Sequence, residues 1–317
     1  MKKLILSTSV LMLLFSCGEN ETTESVSATS EIAHRGCASH DVLLEKLSEN
    51  PKLAQRMSEI ESFTEKAIQE GKLVNGKIVI PVVVNVLYKT SAENISLAQI
   101  QSQIDVLNAD FNATNIEYNS VPSVFSGVKA DIDISFVLDA VVRKSTKKSS
   151  WRTDDSMKKS NKGGINPTSP TTKLNLWVCN LSGGILGYAQ FPGGPSATDG
   201  VVIDNNAMGT TGSASAPFNL GRTATHEIGH WLNLRHIWGD ASCGSDLVSD
   251  TPTHNTANYG CPSFPHYSTC SGSPIEMTMN YMDYTNDSCM YMFSNGQKSR
   301  MLALFSSGGA RNSFAQP

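Results

Sequence analysis

The sequence lacks three features that would each assign it to a common class of protein. It has no excess of basic residues, since 25 Lys and Arg stand against 29 Asp and Glu for a formal net charge of −4. Nothing in that balance favours nucleic acid or an anionic membrane surface as a partner. The apolar run of residues 4–15 is too short for a stable membrane span, and no internal repeat is visible. The hydrophobic fraction of 39% over 317 residues is ordinary for a globular protein, and the chain is long enough for one large domain with appendages.

The first residues have the pattern of an export signal. Lys2 and Lys3 precede the apolar run, and Ser16 is a small residue at which a signal peptidase could cut. Cys17 follows at once, so residues 14–17 are similar to a bacterial lipobox, in which the cysteine thiol receives a diacylglycerol. Ordinary cleavage followed by release is the alternative. In both cases we expect an exported protein, either a lipoprotein of the outer cell envelope or cell surface or a secreted one, with this lipid as its only contact with a membrane.

Residues 17–71 are predicted to form a tether and a prosegment. The stretch up to about residue 30 is rich in Glu, Thr and Ser and has almost no apolar residues, which is typical of a flexible tether. Apolar residues then recur at helical spacing over residues 41–70, with Pro51 as an interruption. A structural N-terminal extension would give the same pattern as a prosegment.

From residue 72 to the C-terminus, at residue 317, the sequence mixes strand and helix patterns. Residues 77–88 are β-branched and apolar, typical of a strand buried on both faces. Regular patterns become sparse after His236, which separates an upper part, residues 72–236, from an irregular lower part, residues 237–317. The other predicted elements are an amphipathic helix over 96–111, strands over 132–138, 174–178 and 201–204, and a short final helix over 297–305.

One helix carries the residues that point to a metal. Residues 219–232 read as a helix with Asn219 as its N-cap. His226 and His230 are four residues apart, so both imidazoles can face one ion. Glu227 lies about 100° further round the helix, where its carboxylate can act as a general base on water.

A third ligand is needed to leave one position open for water or substrate, as catalytic zinc sites do. His236 is the candidate, but in a continuous helix it would point about 240° away from His230. Asn233 lies between them and readily adopts a left-handed conformation at a helix end. The sequence therefore predicts a break there that brings His236 to the metal. Unrelated core or surface histidines are the alternative, but chance rarely places three histidines and a glutamate at these offsets.

The same residues resemble the metzincin metallopeptidases, and among them the pappalysin family with its ulilysin-like bacterial and archaeal members. The resemblance rests on residues 225–236, 250–252, 280–284 and 289–297. It implies an α/β (α+β) catalytic domain of the metzincin-like zincin type. Such a domain has an upper mixed β-sheet with helices, a lower irregular, disulfide-linked subdomain, and a cleft between them. The chain departs from the family at Asn233, where glycine is usual. Because asparagine adopts a left-handed conformation less easily than glycine, we expect a small conformational cost at this position.

The resemblance also implies roles for single residues after the zinc motif. Met282 would form the apolar floor of the Met-turn, although a gap-filling core methionine is the alternative. Tyr284 would donate its hydroxyl to the oxyanion, or else pack as a buried aromatic. Asp287 would lie at the base of the pocket for the residue just after the scissile bond and would favour Arg, more weakly Lys, there. Its alternative is a solvated turn residue.

Four cysteines cluster after the zinc motif, and four cysteines allow three pairings. By resemblance we expect Cys243 to pair with Cys270 and Cys261 with Cys289. Oxygen ligands for a structural calcium ion are also implied by resemblance, with solvated loop carboxylates as the alternative; the residues concerned are Asp246, Asp250 and Thr251.

Cys37 is predicted to keep a precursor latent by placing its thiolate on zinc. A free cysteine, or a disulfide with Cys179, is the competing interpretation. If Asp287 selects Arg, the Gln55–Arg56 bond is one candidate for self-processing.

Together these expectations describe an exported zinc endopeptidase acting on proteins or peptides. A zinc hydrolase with a distant glutamate as third ligand would explain the helix alone, but not His236 together with residues 280–284. A binding protein that had lost activity would usually lack a ligand or the base, and this chain has both.

Overall fold

The structure is a computed structural model and describes residues 34–315. The predicted export signal and Cys17 lie outside these residues. Within them, no helix is both long and apolar enough to cross a bilayer.

A five-stranded sheet with the order β2-β1-β3-β5-β4 is the frame of the protein. Four strands are parallel, and β4 lies antiparallel at one edge. The sequence analysis did not predict β4, because three residues of the composition Gly-Tyr-Ala give no strand signal. The strands are β1 (Ile78–Tyr88), β2 (Ile134–Ser145), β3 (Leu174–Cys179), β4 (Gly187–Ala189) and β5 (Val201–Asp204).

Within residues 34–315, five α-helices accompany the sheet. The predicted N-terminal helical segment is two helices, because Asn50 leaves the helical conformation and its side chain accepts from the Lys52 amide, so that Pro51 opens a second helix. The helices are α1 (Ser39–Glu49), α2 (Pro51–Gln69), α3 (Leu97–Phe111), α4 (Arg222–Trp231) and α5 (Asn295–Ala303).

Two hydrophobic clusters lie on the two faces of the sheet, because successive strand residues point to opposite sides. The larger joins the strands to α3, α4 and the C-terminal part. The smaller contains Trp151, Trp177 and Tyr188, and α1 contributes Val42 to it, with Ala38 just before the helix. The N-terminal segment therefore packs into the core.

The chain after α4 has little regular structure up to α5, as its sequence predicts. Two disulfides cross-link it, Cys243–Cys270 and Cys261–Cys289, which is the pairing implied by the family resemblance. Cys37 and Cys179 are both free thiols, so the alternative disulfide between them is not formed.

Candidate active site

Helix α4 presents His226 and His230 on one face, as their spacing predicts. The helix begins at Arg222 with Gly221 as its N-cap, two residues after the predicted N-cap Asn219, because Gly221 has a left-handed φ of 76° and cannot continue a helix backwards. All three predicted zinc residues are buried, at no more than 1% exposure.

The turn that brings His236 to the site is built on Asn233. Its φ is 67°, and the Leu234 amide donates to the Gly229 carbonyl at 2.9 Å, which closes the helix end. The Nε2 atom of His230 lies 3.2 Å from that of His226 and 3.1 Å from that of His236. The predicted break therefore places three imidazole nitrogens around one point.

The Nδ1 atoms fix how the three rings are oriented. His226 donates to the Tyr281 carbonyl at 2.6 Å, His230 to the Leu234 carbonyl at 2.8 Å, and His236 to the Asp240 carboxylate. Each neutral ring consequently turns an unprotonated Nε2 towards the other two.

This arrangement fits a zinc ion. Tetrahedral zinc with Zn–N bonds of about 2.0–2.1 Å places its nitrogens about 3.3 Å apart, close to the distances above. Burial, with the neighbouring imidazoles, lowers the pKa of His226 well below its usual value and that of His230 to about 3. Burial also lowers the pKa of His236, against the opposing effect of Asp240. Three unprotonated nitrogens that face one another have no hydrogen to share between them, and a cation would satisfy their lone pairs.

Met282 lies beneath α4 and is fully buried. It packs so closely against Gly229 that a Cβ at that position would overlap its sulfur. A glycine at this turn of the helix is therefore needed for the methionine to reach the underside of the histidines.

Glu227 lies beside the three histidines, and burial raises its pKa to about 7. One carboxylate oxygen accepts from the Ser39 hydroxyl at 2.7 Å and lies 3.5 Å from the Cys37 thiol. The Ser39 oxygen in turn accepts from the Ala189 amide of β4 at 2.8 Å. A Cβ at Gly187 would lie 2.9 Å from Glu227 Cγ, so glycine in β4 leaves room for the carboxylate.

Cys37 shares the site with the histidines. Its sulfur and one nitrogen from each of the three imidazoles all lie within 4.8 Å of one another. Its backbone forms a parallel bridge with Gly187, and the adjacent Ala38 amide donates to the Gly187 carbonyl at 3.1 Å. The segment that carries Cys37 thus lies along the edge strand, directly over the predicted zinc position.

Arg35, two residues earlier, is 2% exposed and enters a closed pocket. Its Nη2 donates to Asp287 Oδ1 at 2.6 Å and to the Thr285 carbonyl at 3.1 Å. Its Nη1 donates to Thr223 Oγ1 at 2.9 Å, and its guanidinium carbon lies 4.9 Å from the centre of the Phe218 ring. Asp287 is consequently a buried pocket residue, and its interpretation as a solvated turn residue is wrong.

Tyr284 lies between the histidines and the N-terminal segment. Its ring packs edge-on against His236 with centroids 4.8 Å apart, and its hydroxyl donates to the Cys37 carbonyl at 3.2 Å. Burial raises its pKa above the usual tyrosine value, so the phenol keeps its proton and acts as a donor.

The predicted calcium residues all form hydrogen bonds within the protein. Asp250 accepts from the Ser294 hydroxyl at 2.6 Å and the Gly296 amide at 2.8 Å at the start of α5. Asp246 accepts from the Thr251 hydroxyl at 2.9 Å, and burial raises its pKa to about 6. Calcium binding here stays a prediction.

The sequence analysis missed four polar residues of the site: Arg35, Ser39, Thr223 and Asp240. Arg35 and Ser39 flank Cys37 at two-residue spacing, the alternation of an extended chain, and this was the available signal. Thr223 gave none, because its partner Arg35 is 188 residues away and only the fold brings the two together. Asp240 is only four residues after His236, but the sequence there shows no helical pattern that would indicate a contact at this spacing.

Comparison with known proteins gives the same assignment. The profile of the family described as pregnancy-associated plasma protein-A, peptidase M43, matches residues 170–306. An extracellular metalloprotease of Verticillium alfalfae is 33% identical over 235 residues, which are 70% of this chain and 76% of that protein.

Two solved structures from Tannerella forsythia are similar to most of the chain. Mature mirolysin in complex with a cleaved peptide is 45% identical with a TM-score of 0.74, and the match covers 76% of this chain and 97% of that one. A promirolysin variant is 41% identical with a TM-score of 0.81, covering 89% and 97%. The chain therefore belongs to the pappalysin family of metzincin-type zinc metallopeptidases and is a metalloendopeptidase.

Proposed function

We propose that the protein is an exported zinc endopeptidase, made as a latent precursor, that cuts before Arg and more weakly before Lys. The observation that carries the specificity is Arg35, whose guanidinium fills a buried pocket with Asp287 at its base. The relatives' description as extracellular metalloproteases supports export. Cys17 is proposed to carry the lipid anchor, with release as the alternative, and the mass of the mature N-terminal peptide distinguishes the two.

The chain's own residues supply the remaining parts of peptide hydrolysis. His226, His230 and His236 would hold the zinc, which when bound polarises the peptide carbonyl and makes nearby water acidic. Glu227 takes a proton from the attacking water and delivers it to the leaving amine. Tyr284 donates its hydroxyl to the oxygen that becomes negative, as it donates here to the Cys37 carbonyl.

The pocket contacts favour Arg over Lys. Three guanidinium nitrogens of Arg35 find acceptors, since Nε also donates to the Thr285 carbonyl at 3.3 Å. A planar fork uses all of these acceptors at once, whereas a lysine ammonium is a single point charge that cannot reach them together. Cleavage before Lys is therefore expected to be weaker.

Latency is proposed to come from residues 35–39 acting together. Cys37 would place its thiolate on zinc where water must enter. The Ser39 hydroxyl donates a hydrogen bond to the Glu227 carboxylate, and Arg35 fills the specificity pocket. Each contact removes a different requirement of catalysis, so the bound segment blocks the metal, the base and the substrate pocket. The promirolysin likeness over 89% of this chain supports a precursor of this kind.

The proposed processing bond, Gln55–Arg56, lies inside α2. Arg56 Nε donates to the Gly193 carbonyl at 2.7 Å, which holds this turn against the body. Because a protease cleft accepts extended chain, α2 must unwind locally before this bond is cut. We retain residues 17–71 as tether and prosegment and residues 72–317 as the catalytic domain, although α2 residues after the cut can stay packed on α5.

Replacing Glu227 with Gln tests the chemistry. The variant should keep its fold and its zinc, but turnover should fall by about three or more orders of magnitude because the base is lost. The matched control is Asp105→Asn, which removes an exposed carboxylate on α3 and should leave turnover unchanged. A variant with near-normal activity would refute this role for Glu227.

A peptide library digested by the wild type and by Asp287→Ala tests the specificity. The wild type should cut before Arg, and the variant should lose that preference. An indifferent wild type, or a variant that retains the preference, would rule out the pocket assignment.

A further inference from the structure

The start of helix α4 has no side-chain cap of its own. Gly221 is the N-cap residue and has no side chain with which to accept a hydrogen bond. The first amides of a helix have no partners within it, so an outside acceptor is needed at this buried end.

Asp287 supplies that acceptor. Its Oδ2 atom accepts from the Leu220 amide at 2.8 Å and from the Arg222 amide at 3.2 Å. Its other oxygen, Oδ1, is the one that binds Arg35. The carboxylate is fully buried, and a negative charge at this position complements the positive end of the helix dipole. One carboxylate oxygen of Asp287 therefore caps the start of α4, and the other binds the guanidinium in the pocket.

Asp287 is itself held firmly. Its amide donates to the Pro217 carbonyl at 3.3 Å, and it opens a short helical turn that ends at Cys289, which is bonded to Cys261. Arg222 is four residues, about one helical turn, before His226. A displacement at the start of α4 would consequently be passed to His226 and Glu227 along a single rigid turn.

We infer that Asp287 is a positioning residue for the catalytic helix, which builds on its proposed place in the arginine pocket. Its carboxylate sets where α4 begins and thereby where His226 and Glu227 lie. Loss of the side chain should weaken zinc retention and slow the cleavage of peptides that carry no Arg. A residue that only selected Arg would affect neither.

Two substitutions distinguish the role of Asp287 at the start of α4 from its role in the pocket. In Asp287→Asn the amide oxygen can still accept from Leu220 and Arg222, and the NH2 group then faces the pocket and disfavours Arg. In Asp287→Ala both contacts disappear. The full chain is titrated with a zinc chelator, and the activated enzymes are assayed on two peptides that differ only in Arg or Leu after the scissile bond.

Asp287→Ala should lose zinc at a chelator concentration about tenfold lower than Asp287→Asn does, as expected when support of a metal ligand is removed. The kcat of Asp287→Ala on the Leu peptide should also be about fivefold or more below the kcat of Asp287→Asn, because the support of His226 and Glu227 is lost in both measurements. Equal zinc retention and equal kcat on the Leu peptide in the two variants would overturn the inference. Asp105→Asn controls for loss of a carboxylate.

If Asp287→Ala does not fold, Asp287→Ser replaces it, because its shorter side chain cannot reach both amides. Serine should then retain zinc less well than asparagine, and equal retention would refute the positioning role. A wild type without Arg preference would remove the proposed pocket role but not this inference, since zinc retention and the Leu peptide are measured independently of it.

Discussion

Among single residues, Thr223 offers the sharpest test of the proposed preference for Arg over Lys. Its hydroxyl accepts from the guanidinium of Arg35, and no other side-chain oxygen besides Asp287 does so in the described pocket. Thr223→Val removes this acceptor at nearly constant volume. A hydrogen bond to a charged group contributes roughly 1.5–3 kcal/mol, so kcat/KM before Arg should fall about tenfold or more while cleavage before Lys changes less.

The matched control is Thr210→Val at an exposed threonine, which should leave both values unchanged. Steady-state kinetics on two peptides that differ only in Arg or Lys after the scissile bond give the comparison. An unaltered ratio of the two kcat/KM values in Thr223→Val would mean that Thr223 does not read the guanidinium.

At this scale the sequence predicts a contact when the residues share a local element. His226, Glu227 and His230 lie on one helix, and Asn233 sits at its end, so helical periodicity and left-handed propensity are enough to bring them together. The contact of Arg35 with Asp287 joins residues 252 positions apart, and no local rule reaches that far. Family resemblance suggested Asp287 as the base of a pocket for Arg, but not that Arg35 of the same chain fills it.

Among the larger elements, the disulfide-linked turn of residues 287–289 links stability to specificity. Cys289 follows Asp287 by two residues, and Cys261 is exposed. Replacing Cys261 and Cys289 by Ser should lower the free energy of unfolding by about 3 kcal/mol for a loop of this length. It should also weaken the preference for Arg, because the turn that holds the pocket carboxylate is loosened.

The other disulfide is the natural control for that pair. Cys243 and Cys270 close a loop of similar length, with a sequence separation of 27 against 28. Their double serine variant should lose similar stability in thermal melting yet keep its preference for Arg. If both double variants alter specificity equally, the effect belongs to the lower part in general and not to the turn at Asp287.

The segment before α1 gives a graded prediction for latency. Cys37→Ala should shorten the lag before activation, and Arg35→Ala combined with it should shorten the lag further, because two independent contacts are then lost. Ser48→Ala, at an exposed position of α1, is the control. The lag is measured by following the mass of the precursor with time, and an unchanged lag in Cys37→Ala would argue against the thiol switch.

Secondary structure could be predicted from the sequence where the apolar residues form a long, clear pattern. The buried run of β1 and the amphipathic α3 came out within one residue of their predicted ends, since each is long and strongly patterned. Strand β2 extends seven residues beyond its predicted end, to Ser145, because pairing with β1 continues after its own residues become polar. The sequence analysis missed the short β4, because only its pairing with β5 makes these three residues a strand.

For the molecule as a whole, processing should leave part of α2 in place. Arg300 binds Glu61 through two hydrogen bonds of 2.7 Å each, at a position on α2 that follows the proposed cut. N-terminal sequencing of the mature enzyme should therefore find Arg56 as a new terminus, and Arg56→Ala should slow maturation. Lys52→Ala, at an exposed position in the same helix, is the control, and a mature terminus elsewhere that is unaffected by Arg56→Ala would refute this site.

The strand pairing of residues 36–38 with β4 has a consequence beyond the proposed latency. In the described chain β4 is the edge strand of the sheet. Residues 36–38 pair with its outer edge, as an additional strand would. Once the segment is gone, that border becomes a bare row of amides and carbonyls that any extended polypeptide can complete. Such a template attracts substrates, but it equally attracts other copies of the enzyme while folding is unfinished. We therefore expect the segment also to limit aggregation, and secretion without it should yield more insoluble protein.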